Sequence, residues 1–80
     1  MKDIRVVLRL SPNLEDMLQD VPVRLDLTVP RGTTVREILQ RAGIPPLVVR
    51  SAVQGKTLLA GDSAVSRDTE LSLLAPIAGG

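Results

Sequence analysis

From Ile4 to Leu10 apolar and polar residues alternate, with Ile4, Val6, Leu8 and Leu10 on one side and Arg5, Val7 and Arg9 on the other. A repeat of two marks a half-buried β-strand, and Val7 is its one mismatch. Ser11-Pro12-Asn13 breaks the run, because proline has no amide for a ladder and all three residues favour turns. Leu14, Met17 and Leu18 follow at helical spacing and predict a short helical turn over an edge of the core. The alternation over Val21–Val29 is cleaner. Val21, Val23, Leu25, Leu27 and Val29 oppose Pro22, Arg24, Asp26 and Thr28, which predicts an antiparallel strand with one wet face. Pro30-Arg31-Gly32 ends it.

The period then changes. Thr34-Val35-Arg36-Glu37 has the form of a capping box, in which the threonine hydroxyl accepts from the Glu37 amide and Glu37 reaches back. Val35, Ile38, Leu39 and Ala42 form one apolar stripe at i, i+3, i+4 and i+7, so a helix is expected over Thr34–Ala42. Gly43 supplies the left-handed terminator, and Pro45 and Pro46 forbid continuation. Leu47–Val53 is rich in β-branched residues and reads as a third strand, turning at Gln54-Gly55 into a short strand over Lys56–Leu59. Gly61-Asp62-Ser63 and Arg67-Asp68-Thr69 read as turns. The last strand is Glu70–Leu74, with Leu71 and Leu73 facing one way and Ser72 and Leu74 the other.

One principal helix must cover the apolar face of one sheet, which defines a two-layer α+β domain. With the first two strands as a hairpin and the helix as crossover, the last strand pairs parallel to the first. That arrangement is the β-grasp, or ubiquitin-like, fold: a mixed four- to five-stranded sheet with one main helix. Its expected core is Val6, Leu8, Leu25, Leu27, Val35, Ile38, Leu39, Val53 and Leu73.

Composition narrows the function. The chain has 80 residues, 44% of them apolar, and no aromatic residue, cysteine or histidine. One core is affordable at this length, filled by Leu, Val and Ile alone. Missing Cys and His exclude a disulfide framework, a thiolate nucleophile, a His-based triad and a zinc finger, so no catalytic activity and no metal site are expected. Ten basic against nine acidic residues leave a net charge of +1, and the arginines are dispersed. Without a basic patch or stacking rings, nucleic acid is not an expected partner. No apolar run approaches a membrane span and the N-terminus lacks a signal-peptide core, so a cytoplasmic domain is expected.

After Leu74 the periodicity stops, which divides the chain into a domain over residues 1–74 and a flexible tail over residues 75–80, Ala75-Pro76-Ile77-Ala78-Gly79-Gly80. Two terminal glycines carry the largest backbone entropy and nothing to pack, so folding gives no reason for them. A frayed end would look similar, but this tail follows a strand directly and in frame, with proline and isoleucine ahead of the glycines. A bare Gly-Gly end can thread a narrow channel and present its carboxylate at a buried active site.

These features resemble the sulfur-carrier family that includes the molybdopterin synthase small subunit and the thiamine-pathway sulfur carrier. Gly32-Thr33-Thr34-Val35-Arg36-Glu37-Ile38-Leu39 is similar to that family's glycine-threonine-valine entry to its helix. Ala52-Val53-Gln54-Gly55-Lys56 is similar to its Val-Asn-Gly hairpin, with glutamine in place of asparagine. Leu73-Leu74-Ala75-Pro76-Ile77-Ala78-Gly79-Gly80 matches its strand, proline and Gly-Gly ending, the most specific of the three. Where the family has Gly-Asp before the last strand, this chain has Arg67-Asp68.

The resemblance implies that the Gly80 carboxylate is adenylated by an E1-like adenylating enzyme, which uses ATP and magnesium, and then converted to a thiocarboxylate by a sulfur donor protein. The carrier itself would bind no cofactor. A partner synthase, either the molybdopterin synthase large subunit or thiazole synthase, would take the sulfur, with molybdopterin favoured over thiamine by chain length and the long first hairpin. Leu74, Pro76, Ile77, Ala78 and Gly79 would meet the partner. The other reading is a ubiquitin-like modifier joined through Gly80 to target lysines; Lys2 and Lys56 are the only lysines here that could accept a chain. Gly61-Asp62 reads as an ordinary turn and Glu15, Asp16 and Asp20 as a solvated acidic group.

Overall fold

A computed structural model describes residues 2–49 and 51–75. Strand β1 (Asp3–Leu10) leads through helix α1 (Pro12–Met17) into β2 (Arg24–Pro30). A two-residue strand β3 (Thr33–Thr34) opens helix α2 (Val35–Arg41), and a 3₁₀ turn (Pro46–Val48) leads to β4 (Ser51–Gln54). The chain returns along β5 (Thr57–Leu59), β6 (Ala64–Val65) and β7 (Thr69–Leu74). The main sheet has the order β2-β1-β7-β4-β5, and β3 and β6 form a separate two-stranded ladder. β1 pairs antiparallel with β2 and parallel with β7, as the crossover reading requires. The last strand is therefore the centre of the sheet.

The helix forms where its cap predicts. The Glu37 amide donates to Thr34 Oγ1 at 3.2 Å, and the Thr34 amide donates to Glu37 Oε1 at 3.0 Å. The Thr34 amide, and the Thr34 hydroxyl that also donates to Glu37 Oε1 at 2.9 Å, favour the ionised form and hold the Glu37 carboxyl below its usual range. Gly43 terminates the helix at φ +77°, and Gly55 turns the β4–β5 hairpin at φ +62°, conformations that glycine adopts without steric cost.

Val35, Ile38 and Leu39 of α2 press on the inward face of the sheet, formed by Ile4, Val6, Leu8, Leu10, Val29, Ala52, Leu71 and Leu73. Leu14 from α1, Ile44 after α2 and Val65 from β6 complete the buried set. Six of the nine expected core residues are buried; Leu25, Leu27 and Val53 are half-buried. Leu25 and Leu27 lie on β2, an outer strand with no neighbour beyond it. Val53 is a parity correction. β4 pairs Ala52 with Leu73, so Ala52 faces the core and Val53 faces outward.

Three further expectations are corrected. The second strand begins at Arg24, not Val21, because Val21 closes a turn on Leu18 at 3.0 Å and Pro22 has no amide to give. Leu47–Val49 does not extend the third strand. Pro45 and Pro46 preset a helical φ, and Val48 and Val49 close 3₁₀ bonds to the Pro45 and Pro46 carbonyls at 3.1 and 3.2 Å. Ala75, expected in the tail, is 8% exposed and packs with the core. It continues the inward series Leu71, Leu73, Ala75, so burial runs one residue further than the apolar strand pattern.

Candidate functional site: the sheet's outward face and the base of the tail

The outward face of the sheet follows from the ladder registers. Residues paired across strands share a face, so Asp26, Val7 and Glu70 form one row, and Arg24, Arg9, Ser72, Val53 and Leu58 form the next. Leu74 and Ser51 form the last row. On β1 and β2 this face is charged and paired: Arg5 Nη2 lies 3.2 Å from Asp26 Oδ1, and Arg9 Nη1 lies 3.7 Å from Glu70 Oε1. Both pairs are solvated, so each contributes about 0–1 kcal/mol.

Towards β4 and β5 the same face turns apolar. Leu58 is 68% exposed and Leu74 39% exposed, with half-buried Val53 between their strands. Among the described residues nothing covers these side chains, and Leu74 ends the strand from which the chain leaves the sheet. Helix α1, which could have covered Leu74, instead buries Leu14 in the core.

The base of the tail is firmly held. The Ser11 amide donates to the Leu73 carbonyl at 3.0 Å, β7 is bonded on both sides, and Ala75 is packed. Ser11 Oγ is buried at that end without a hydrogen-bond partner among the described residues. At the start of β7, Asp68 Oδ1 accepts from the Arg5 amide at 2.9 Å. That bond accounts for the Arg67-Asp68 turn. The aspartate pins β7 to β1, and no non-glycine residue takes positive φ among the described residues, so no glycine is needed before it. Gln54, standing where the resembling family has asparagine, donates to Thr69 Oγ1 at 2.9 Å and ties the β4 hairpin to β7.

Of the residues expected at the site, the structure places Leu74 on this outward face. Pro76, Ile77, Ala78, Gly79 and Gly80 lie outside the described residues. The sequence reading missed half-buried Val53 and exposed Leu58 as outward-facing neighbours of Leu74. The missing signal was the β4–β5–β7 register, which assigns faces and which no local pattern contains. Among the described residues no group of three or more carboxylates could hold a metal ion, and no helix is long and apolar enough to cross a membrane.

No protein-family model and no curated protein matches the sequence. Solved structures do match the fold. SAMP1 from Haloferax volcanii is similar with a TM-score of 0.69 at 18% identity, over 95% of this chain and 99% of that one. The ubiquitin-like domain of the Arabidopsis thaliana protein At2g32350 is similar with a TM-score of 0.66 at 14% identity, over 100% of this chain and 85% of that one. The chain has the ubiquitin-like β-grasp fold.

Proposed function

We propose that this protein is a sulfur carrier, bearing sulfur as a thiocarboxylate on Gly80 for cofactor biosynthesis, with the molybdopterin branch favoured over thiamine. The observation that carries the reading is the position of β7. The central strand of a ubiquitin-like sheet runs to a buried anchor at Ala75, and the sequence continues through Pro76-Ile77-Ala78-Gly79-Gly80. An anchored strand fixes the origin of the thread, and glycine's missing side chain suits it to a narrow channel.

The chemistry requires nothing of the protein's side chains. Attack of the Gly80 carboxylate on the α-phosphate of ATP releases pyrophosphate and leaves an acyl-adenylate. A sulfide equivalent from a sulfur donor protein then displaces AMP, and the thiocarboxylate sulfur is the nucleophile passed to the synthase. ATP and magnesium sit in the E1-like adenylating enzyme. A short thread cannot hold such partners alone, since ordering its residues costs about 1–2 kcal/mol each. The outward apolar group of Leu58, Leu74 and half-buried Val53 supplies the compensating contact, with Pro76, Ile77, Ala78 and Gly79 continuing it into the partner.

The test is to incubate the chain with the E1-like adenylating enzyme, ATP, magnesium and a sulfur donor, and to weigh it. A gain equal to the exchange of one oxygen for sulfur supports the carrier. Covalent high-mass species containing this chain, found instead in denaturing gels of cell extract, would make it a modifier. The identity of the synthase retained on an immobilised thiocarboxylate form decides between the molybdopterin and thiamine branches.

A further inference from the structure

Strand β2 is an open edge of the main sheet, bonded to β1 on one side and to no described strand on the other. Its backbone parity follows from bonds at its two ends. The Leu10 amide donates to the Val23 carbonyl at 2.9 Å, and the Arg31 amide donates to the Lys2 carbonyl at 3.2 Å. By the register between them, Val23, Leu25, Leu27, Val29 and Arg31 turn their backbone polar groups towards β1. The Arg5 amide, which points the other way to Asp68, obeys the same parity. The amides and carbonyls of Arg24, Asp26 and Thr28 therefore point off the sheet, without a backbone partner among the described residues. All three residues are exposed.

The side chains along this edge select what covers it. On the outward face Arg24 and Asp26 stand two positions apart with opposite charge, and Arg24 has no ion pair among the described residues. Asp26 uses Oδ1 for Arg5, 3.2 Å from both Nε and Nη2, which leaves Oδ2. On the inward face Val23 is 52% exposed, and Leu25 and Leu27 are only half-buried.

We propose that β2 pairs antiparallel with β2 of a second copy of this chain, about a two-fold axis at Leu25. Backbone parity must match across the seam, so the axis falls on a residue. An axis at Asp26 sets two carboxylates against each other. An axis at Leu27 sets Arg24 against Pro30, which has no amide. The axis at Leu25 sets Arg24 opposite the copy's Asp26, and by symmetry Asp26 opposite the copy's Arg24, so unlike charges face each other twice. Each of these pairings exchanges both backbone bonds. Inward, Leu25 meets its own counterpart and Val23 meets the copy's Leu27, which covers the exposed Val23. Pro22 and Pro30 bracket the ladder and confine it to this stretch.

This pairing goes beyond the carrier reading and does not depend on it. The opposite edge of the sheet is β5, which carries Leu58, so both copies keep the outward apolar group free for a partner. One strand edge is a small interface, and a weak dimer that forms as concentration rises is expected.

The chain has no cysteine, so one can be placed at the axis. Residues facing each other in a non-bonded antiparallel pair have Cα atoms about 4.5 Å apart, within disulfide range. Leu25→Cys should form a disulfide-linked dimer under mild oxidation. Leu27→Cys should not, because its two copies lie roughly 13–14 Å apart along the ladder. In sedimentation the weight-average mass of wild type should rise with concentration towards two chains. Arg24→Asp sets like charges together and should weaken the association by about tenfold or more. Adding Asp26→Arg to it should restore most of the loss, with thermal midpoints at low concentration showing that each variant is folded. If a charge variant does not fold, the two cysteine variants decide alone. A single-chain mass at every concentration would overturn the proposal. So would equal crosslinking in Leu27→Cys, association unchanged by Arg24→Asp, or a double variant no better than Arg24→Asp. Association abolished by Leu58→Arg would assign it to the outward apolar group and also overturn the pairing.

Discussion

The two faces of one sheet are built to different standards. On the inward face every position of β1 and the alternate positions of β7 are apolar and sealed by α2, α1 and the β3–β6 ladder. On the outward face the same strands carry arginines and carboxylates, and towards β4 and β5 that face exposes Leu58 and Leu74 beside half-buried Val53. The inward face can be explained by folding alone. The outward apolar group cannot, because a solvated strand face at Leu58 would fold as well with a polar residue there. If the outward apolar group is the docking surface proposed above, stability and partner binding should be separable, each broken without the other.

The largest expected effect is on the inward side. Leu39→Ala should cost about 2–5 kcal/mol, read as a lowered urea midpoint, because the cavity it leaves lies between α2 and the sheet. A loss under about 1 kcal/mol would mean that α2 is not the lid of the core. On the outward side, Leu74→Arg and Leu58→Arg should leave stability within about 0.5 kcal/mol. The same changes should weaken binding to the adenylating enzyme by roughly tenfold, about 1.4 kcal/mol. Unchanged affinity would remove these residues from the interface, and a lost fold would show that the faces are not independent.

Thr34→Ala should destabilise by about 0.5–2 kcal/mol, since one helix amide loses its acceptor and Glu37 its partner. The smallest effect is in pH. The Thr34 bonds lower the Glu37 pKa in the folded state from its ordinary value of 4.5, so folding binds fewer protons there. Its stabilisation is thus complete above that ordinary range and is lost as pH falls through the lowered folded value. Glu37→Gln should remove this acid dependence, seen as a flatter fall of the thermal midpoint below pH 4.5.

Much of the inward half was legible. Alternation over Ile4–Leu10 and the Thr34–Glu37 box define β1 and α2 locally, and both positions are set by chemistry within a few residues. Ala52, Val65 and Ile44 were not legible as core. Val65 and Ile44 are isolated in sequence among turns, and Ala52 sits beside Val53, the larger residue of the same strand; only pairing with β3, the return after Gly43 and pairing with β7 bring them inside. The failure at Leu47–Val49 is instructive: β-branched residues suggested a strand, but two prolines control the backbone before them. At the site, Leu74 could be placed by alternation along its own strand, whereas Val53 and Leu58 needed the register of two neighbours.

The central claim is that Gly80 is the reacting group and that its distance from the folded body matters. Deleting Gly80 retracts the carboxylate by about 3.3–3.6 Å. A misplacement on the order of 1 Å can already cost about a hundredfold in rate. The measurement is the intact mass of wild type and of the Gly80 deletion after incubation with the E1-like adenylating enzyme, ATP, magnesium and a sulfur donor. The account predicts oxygen-to-sulfur exchange in wild type and none in the deletion, with equal thermal midpoints for the two. Exchange in the deletion at the wild-type rate would contradict it.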